Sequence, residues 1–290
     1  MQSLWMLAAG LAFSLMGAFV KLGAEHFSAA ELVFYRSLVQ MAGAYAVLFH
    51  AGLPVKTKRF GMHVHRGVSG FVSLFMFFYA LTTLPVATAM TLNYSSPLFL
   101  ALLLTFLARE RPGVMLIGTV LLGFAGVLLL LRPAVHSDQL WPFVVGLASG
   151  AISSVAYWNV RELVRAQEPE ARVVFYFALF ACLGSLVWMA PQTWHRVTWS
   201  NAWILAGVGV MGTLGQLFMT RAYGQGKTLV TAALSYSGIV FSSVLGIAFF
   251  GDQLPWFAWL GMALIVIAGI IAVQLQPGAR RNDAPQVTND

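Results

Sequence analysis

The chain has 290 residues, of which 59% are hydrophobic and only 9% charged, with a mean hydropathy of +0.78. Soluble domains run near 25% charged residues, so this composition excludes an ordinary cytosolic enzyme and a disordered chain alike, and lipid is its expected solvent. The net charge of +7 comes from 17 Lys and Arg spread along the whole chain, with no dense basic stripe for nucleic acid.

A spanning helix needs about 20 mostly apolar residues. Ten runs meet that length, at about 4–22, 33–52, 67–84, 86–108, 113–131, 140–160, 173–190, 202–220, 229–250 and 256–275. The first lacks a basic leader and a small-residue cleavage site, so it reads as a retained span rather than a signal peptide. The third and fourth are divided at Leu84-Pro85-Val86, where proline favours a turn. What is left is short loops and a polar stretch, 276–290, read as a disordered cytoplasmic tail. With the N-terminus in the cytoplasm, thirteen of the 17 Lys and Arg fall on the cytoplasmic side, Arg66 among them, and four fall outside. The expected location is the inner (plasma) membrane, multi-pass, with both termini in the cytoplasm.

The chain also repeats itself. The stretch Thr91-Leu92-Asn93-Tyr94-Ser95-Ser96 lies on Ala233-Leu234-Ser235-Tyr236-Ser237-Gly238 at an offset of 142, and Ala80 and Phe99 lie on Ala222 and Phe241. One residue later in register, Pro112 meets Pro255, Gly118 meets Gly261 and Gly126 meets Gly269. Each half holds five spans. An odd number makes the halves enter the membrane from opposite sides, an arrangement common among secondary transporters. The expected fold is all-α: a polytopic membrane protein of ten transmembrane helices, arranged as two inverted five-helix repeats over residues 1–133 and 134–275.

These halves, the Phe34-Tyr35-Arg36 opening of the second span and the block from Ala80 to Glu110 resemble the drug/metabolite transporter superfamily, EamA-type family. The second half departs from the pattern where Pro97 becomes Ile239 and Glu110 becomes Asp252. The resemblance implies a ten-helix carrier with a central cavity between the halves. It fixes no one substrate, since members are similar to exporters of amino acids and metabolites and to carriers of nucleotide sugars and S-adenosylmethionine.

A carrier needs polar groups at mid-depth that face protein or water, because an unsatisfied polar group in lipid costs several kcal/mol. Asn93 sits near the middle of the fourth span. Pro97 lacks an N–H and crowds the carbonyl of Asn93, which makes it a candidate hinge. Asn93 reads equally as a substrate contact or as interhelical glue. In the ninth span Thr231, Ser235, Gly238 and Ser242 line one helical face, as Ala89, Asn93, Ser96 and Leu100 do in the fourth. Such a stripe serves close packing or a binding cleft. The cavity candidates are Asn93, Tyr94, Ser96, Thr231, Ser235, Tyr236, Tyr79 and Trp158, with Tyr223 assigned to the interfacial aromatic belt. Lys21, Glu25, Glu31 and Arg36 gather at the outer ends of spans one and two, as a gate or outer vestibule. Arg36 lies inside an apolar run, either as a gate or substrate-anion contact or as a snorkelling side chain.

No metal or cofactor is expected. His63 and His65 lack ligand spacing, and Gly207-Val208-Gly209-Val210-Met211-Gly212 lies inside an apolar span, where it packs helices. The expected partners are a small-molecule substrate and the lipid bilayer, with no nucleic acid, in a monomer or homodimer. The function these features favour is a secondary transporter of a small amphipathic, amino-acid-like metabolite working by alternating access. The alternatives are a membrane-embedded enzyme, for which no reactive constellation is visible, or a non-transporting subunit of a membrane complex.

Overall fold

In the computed structural model, residues 2–84, 86–107, 109, 112–132, 139–251 and 253–275 are described. The acidic residues Glu110 and Asp252, Pro85, and the stretch 276–290 lie outside them. The helices are α1 (Trp5–Gly23), α2 (Ala29–His50), α3 (Phe60–Thr83), α4 (Val86–Asn93), α5 (Ser96–Phe106), α6 (Val114–Leu131), α7 (Leu140–Arg165), α8 (Glu170–Met189), α9 (Trp199–Gln225), α10 (Thr228–Ser235), α11 (Ser237–Phe250) and α12 (Trp256–Gln274). No strand occurs among the described residues. The pairs α4/α5 and α10/α11 each make one broken span, so the twelve helices are the ten expected spans. Among the described residues, nine of the spans are long and apolar enough to cross a membrane. The tenth, α3, carries His63, His65 and Arg66 in its first two turns.

Helix α3 departs most from expectation. It starts at Phe60, seven residues before the predicted run, and so draws Arg66 out of the loop and into the helix, where it is buried. The helix packs along α7 and α8.

The packing pattern is symmetric. The most extensive helix contacts are α3 on α7, α1 on α9, α2 on α8 and α6 on α12. Exchanging the two halves turns α3·α7 into α9·α1 and leaves α2·α8 and α6·α12 unchanged. The next contacts obey the same rule: α2·α9 exchanges with α8·α3, and α1·α11 with α7·α5. The fold is therefore two five-helix repeats packed face to face.

Both breaks sit on a glycine of the opposite half. A Cβ at Gly150 in α7 would lie 2.6 Å from the carbonyl oxygen of Leu92 and 2.6 Å from Ser95 Oγ, beside the α4/α5 break. A Cβ at Gly10 in α1 would lie 3.2 Å from Ser237 Oγ and 3.3 Å from the Gly238 nitrogen, beside the α10/α11 break. Glycine lets the backbones meet where the helix hydrogen-bond ladder is interrupted. The first break has a local cause, since Pro97 stands in the first turn of α5. The second has no proline. There Ser14 of α1 donates its hydroxyl to the carbonyls of Gly10 and Gly238, at 2.8 and 2.9 Å, and accepts from Ser242 at 3.0 Å.

The glycines of the G-x-G-x-x-G string are packing contacts. Gly207 faces Phe19, Gly209 faces Val39 and Gly212 faces Arg36 and Met16.

Gly150→Ala forces a methyl against backbone, so it lowers stability by about 1–3 kcal/mol. Gly118→Ala, with nothing within 4 Å of the new Cβ, is neutral or mildly stabilising. Thermal unfolding of the two variants in detergent checks the contrast.

Candidate functional site: a central cavity between the repeats

A cavity of about 790 Å³ lies between the halves. Its middle is built by the two breaks: Asn93, Tyr94 and Ser96 come from the first, and Ser235, Gly238 and Ser242 from the second. One end reaches Lys21 and Phe250, where the Lys21 ammonium stands 3.9 Å from the Phe250 ring centroid. At the other end Tyr157 and Tyr223 form a floor, their rings stacked with centroids 4.9 Å apart and planes 10° from parallel. Phe13, Phe77, Phe78, Met6, Met16 and Met90 make most of the wall apolar.

Of the sequence-predicted residues, Asn93, Tyr94, Ser96, Ser235, Lys21 and Arg36 meet at this cavity. Asn93 is both an interhelical contact and a cavity-lining residue. Its Nδ2 donates to Ser149 Oγ on α7 at 3.2 Å, and the residue also borders the cavity. Pro97 is buried next to the break, beside the cavity rather than in it.

Other candidates lie elsewhere. Thr231 is fully buried and donates to the Ala222 carbonyl at 3.1 Å, joining α10 to α9. Tyr236, the counterpart of Tyr94, is turned away from the cavity and packs against Gly123 and Phe124 of α6. Tyr79 is exposed on α3, and Trp158 packs into the core. Glu25 is exposed beyond the end of α1. Glu31 is buried at the start of α2, where it closes a capping box with Ser28 and takes His195 N–H at 2.6 Å and His195 Nδ1 at 2.8 Å. It is a clasp between α2 and the α8–α9 loop rather than a vestibule group. Tyr223 is not a belt residue: it is buried and floors the cavity. Its partner Tyr157 belongs to the same group of span aromatics in the sequence but is not among the cavity candidates, and nothing in the sequence neighbourhood of Ser14 singles it out.

The opposite face carries a second clasp. Glu168, between α7 and α8, accepts from Thr57 Oγ1 at 2.6 Å and Arg172 Nη1 at 2.8 Å, and meets His63 Nε2 at 3.3 Å. Arg172 also donates to the Pro54 carbonyl through Nε at 3.0 Å and Nη2 at 2.6 Å. Burial pushes the Glu168 carboxyl up, but hydrogen bonds from Thr57, Arg172 and His63 outweigh it and hold the group below its ordinary value. Each membrane face thus has a carboxylate–histidine contact that joins a helix start to a loop distant in sequence. The exchange of halves carries one loop pair into the other.

A family profile for EamA-like transporters matches residues 1–132 and again 140–274. The chain belongs to the EamA-like transporter family. It is 31% identical to the pseudopaline exporter CntI of Pseudomonas aeruginosa over 270 residues, which cover 93% of this chain and 95% of that one. It is 25% identical to a riboflavin transporter of Vibrio cholerae, covering 97% and 95%. It is 26% identical to an S-adenosylmethionine uptake transporter of Rickettsia felis, covering 78% and 76%. A solved crystal structure superposes with a TM-score of 0.84 at 22% identity, covering 94% of this chain and 98% of that one, which shows the shared fold. The protein is thus a multi-pass membrane transporter of a small metabolite and not an enzyme.

Replacing Glu168 removes a hydrogen-bonded buried charge. Glu168→Gln lowers stability at pH 7 by about 1–3 kcal/mol. A carboxylate with a depressed folded value stabilises above its unfolded value, near 4.3, and loses that contribution as pH falls through the folded one. Unfolding midpoints of wild type and variant therefore differ at pH 7 and converge below about pH 4.

Proposed function

We propose that the chain is a secondary transporter that carries a small amphipathic, amino-acid-like metabolite across the inner membrane by alternating access. Its two repeats lie in opposite senses, as their odd span number requires, and both termini face the cytoplasm. The domain division proposed is 1–133 and 134–275.

The observation that carries this reading is the cavity built by both helix breaks, bounded by α1 and α11 at one end and floored by the Tyr157–Tyr223 stack at the other. Under the charge bias of the loops, the Lys21 end is the outer one, so the conformation is outward-facing. Turnover parts Tyr157 from Tyr223 and brings α1 and α11 together over the solute. The broken helices support this motion, since unladdered backbone lining a cavity offers polar groups to the solute and flexes more readily than a continuous helix. The named relatives include both an exporter and an uptake carrier, so direction follows from gradients and coupling rather than from the fold.

Purified protein in liposomes, offered a mixed pool of labelled amino acids and nucleoside-type metabolites, is expected to show saturable accumulation of one class that empty liposomes lack. No movement in either direction by folded protein contradicts the proposal.

Asn93→Ala is expected to cut that transport by roughly ten-fold or more while the protein stays folded, because it removes a polar group at mid-cavity. Ser149→Ala removes the interhelical bond, together with the local Ser149 bond to the Gly146 carbonyl, but keeps the Asn93 amide, and leaves transport within about two-fold of wild type. Unfolding by Asn93→Ala, or equal losses in both variants, assigns Asn93 to structure alone.

A further inference from the structure

The cavity wall holds a charge with no counter-charge. Arg36 of α2 borders the cavity and is nine-tenths buried, with 9% of its surface exposed. It forms no hydrogen bond or ion pair among the described residues, and its Nε is buried without a partner. The nearest carboxylate in sequence, Glu31, is committed to Ser28 and His195. The cavity lining contains two cations, Lys21 and Arg36, and no carboxylate.

A second arginine of the same kind stands nearby. Arg66 of α3 is 3% exposed, lies with its guanidinium carbon 4.2 Å from the Phe177 ring centroid and donates through Nη2 to Gln216 Oε1 at 3.4 Å. Its Nε has no partner, and no carboxylate pairs with it among the described residues. Helix α9 relates the two. Gly212 lets Arg36 lie against it, since a Cβ there would come 2.9 Å from Arg36 Nε. Gln216, one turn further on, meets Arg66. Gln40, one turn from Arg36 on α2, is also buried with its amide nitrogen unpartnered. Arg66 does not border the cavity. It lies about two turns from the face where the chain starts, as does the Tyr157 floor.

A guanidinium withdrawn from water without an opposite charge is costly, and within a membrane protein it marks a pathway group. A single planar fork matches a carboxylate bidentately, whereas a phosphate dianion calls for several cations. The surrounding wall of Phe and Met takes an apolar body. We infer that the solute is an amphipathic carboxylate. Arg36 binds its carboxylate in this conformation, and Arg66 receives it once the Tyr157–Tyr223 floor parts. The inference rests on the cavity being the transport site and deepens that reading by naming the substrate class.

The test uses the purified full chain in detergent, with 4-phenylbutyrate and its neutral amide, 4-phenylbutyramide, as probes and ligand-induced thermal stabilisation as the readout. Wild type is expected to bind the acid at least roughly ten-fold more tightly than the amide. Arg36→Gln abolishes that preference, and Arg36→Lys, a point charge without the fork, keeps part of it. Arg66→Gln retains the preference within about two-fold but slows carboxylate turnover in liposomes by roughly ten-fold or more, leaving KM nearly unchanged. Equal binding of acid and amide by wild type overturns the inference without any variant having to fold. An unaltered preference in Arg36→Gln overturns it as well, and wild-type turnover in Arg66→Gln removes the second station. Binding is read without transport, so the two readings fail separately. A carboxylate bound but never carried sinks the transporter, while a neutral solute carried with no preference for acids sinks only this inference.

Discussion

Two interrupted helices meeting at mid-depth set the form of this molecule. A continuous transmembrane helix satisfies its own backbone and leaves nothing for a solute; a broken one leaves carbonyl and N–H groups that must find partners away from lipid. The breaks at Tyr94–Ser95 and at Tyr236 are tolerated because each is buried against a glycine of the opposite half, Gly150 for the first and Gly10 for the second. Those two seatings hold the repeats together and place Asn93 and Ser235 on a shared cavity.

The near-symmetry of the contacts is what the proposed alternation between two states requires. The helix pairs exchange when the halves exchange, so a conformation of one half is geometrically available to the other. The side chains, by contrast, are not symmetric. Tyr94 faces the cavity while its counterpart Tyr236 packs on α6, and the Tyr157–Tyr223 stack borders the end away from Lys21. Under the proposed mechanism, that asymmetry distinguishes the two ends of the cavity. The clasps at Glu31–His195 and Glu168–His63 tie loops to helix starts on each face, outside the cavity.

What the sequence made legible follows from which forces are local. Lipid solvation demands long apolar runs, so the ten spans were visible, and glycine and proline spacing exposed the repeat. The break at Pro97 was readable because proline acts on its own backbone. The break at Tyr236 was not, because it arises from Gly10 and Ser14, more than 200 residues away. Arg36 stood out as a charge inside an apolar run. Arg66, beside two histidines, looked like a loop residue until α3 proved to begin seven residues early. Glu31 resembled a gate by position, yet its partner His195 comes from the other half, and no local pattern points to such a pairing. Tyr223 was misplaced for a related reason, since distance from a helix end is a poor guide to depth when the helix is tilted or extends beyond the apolar run.

Alternating access requires that one end of the cavity opens as the other closes. It is tested most directly by spin-label distances in lipid nanodiscs, with one pair at Glu25 and Gln253 beside the Lys21 end and another at Arg165 and Gln225 beside the tyrosine floor. Alternating access predicts opposed changes when transported solute is added: the first pair draws together as the second moves apart. Both distances holding fixed while solute crosses the membrane would contradict the account and point to a permanent pore.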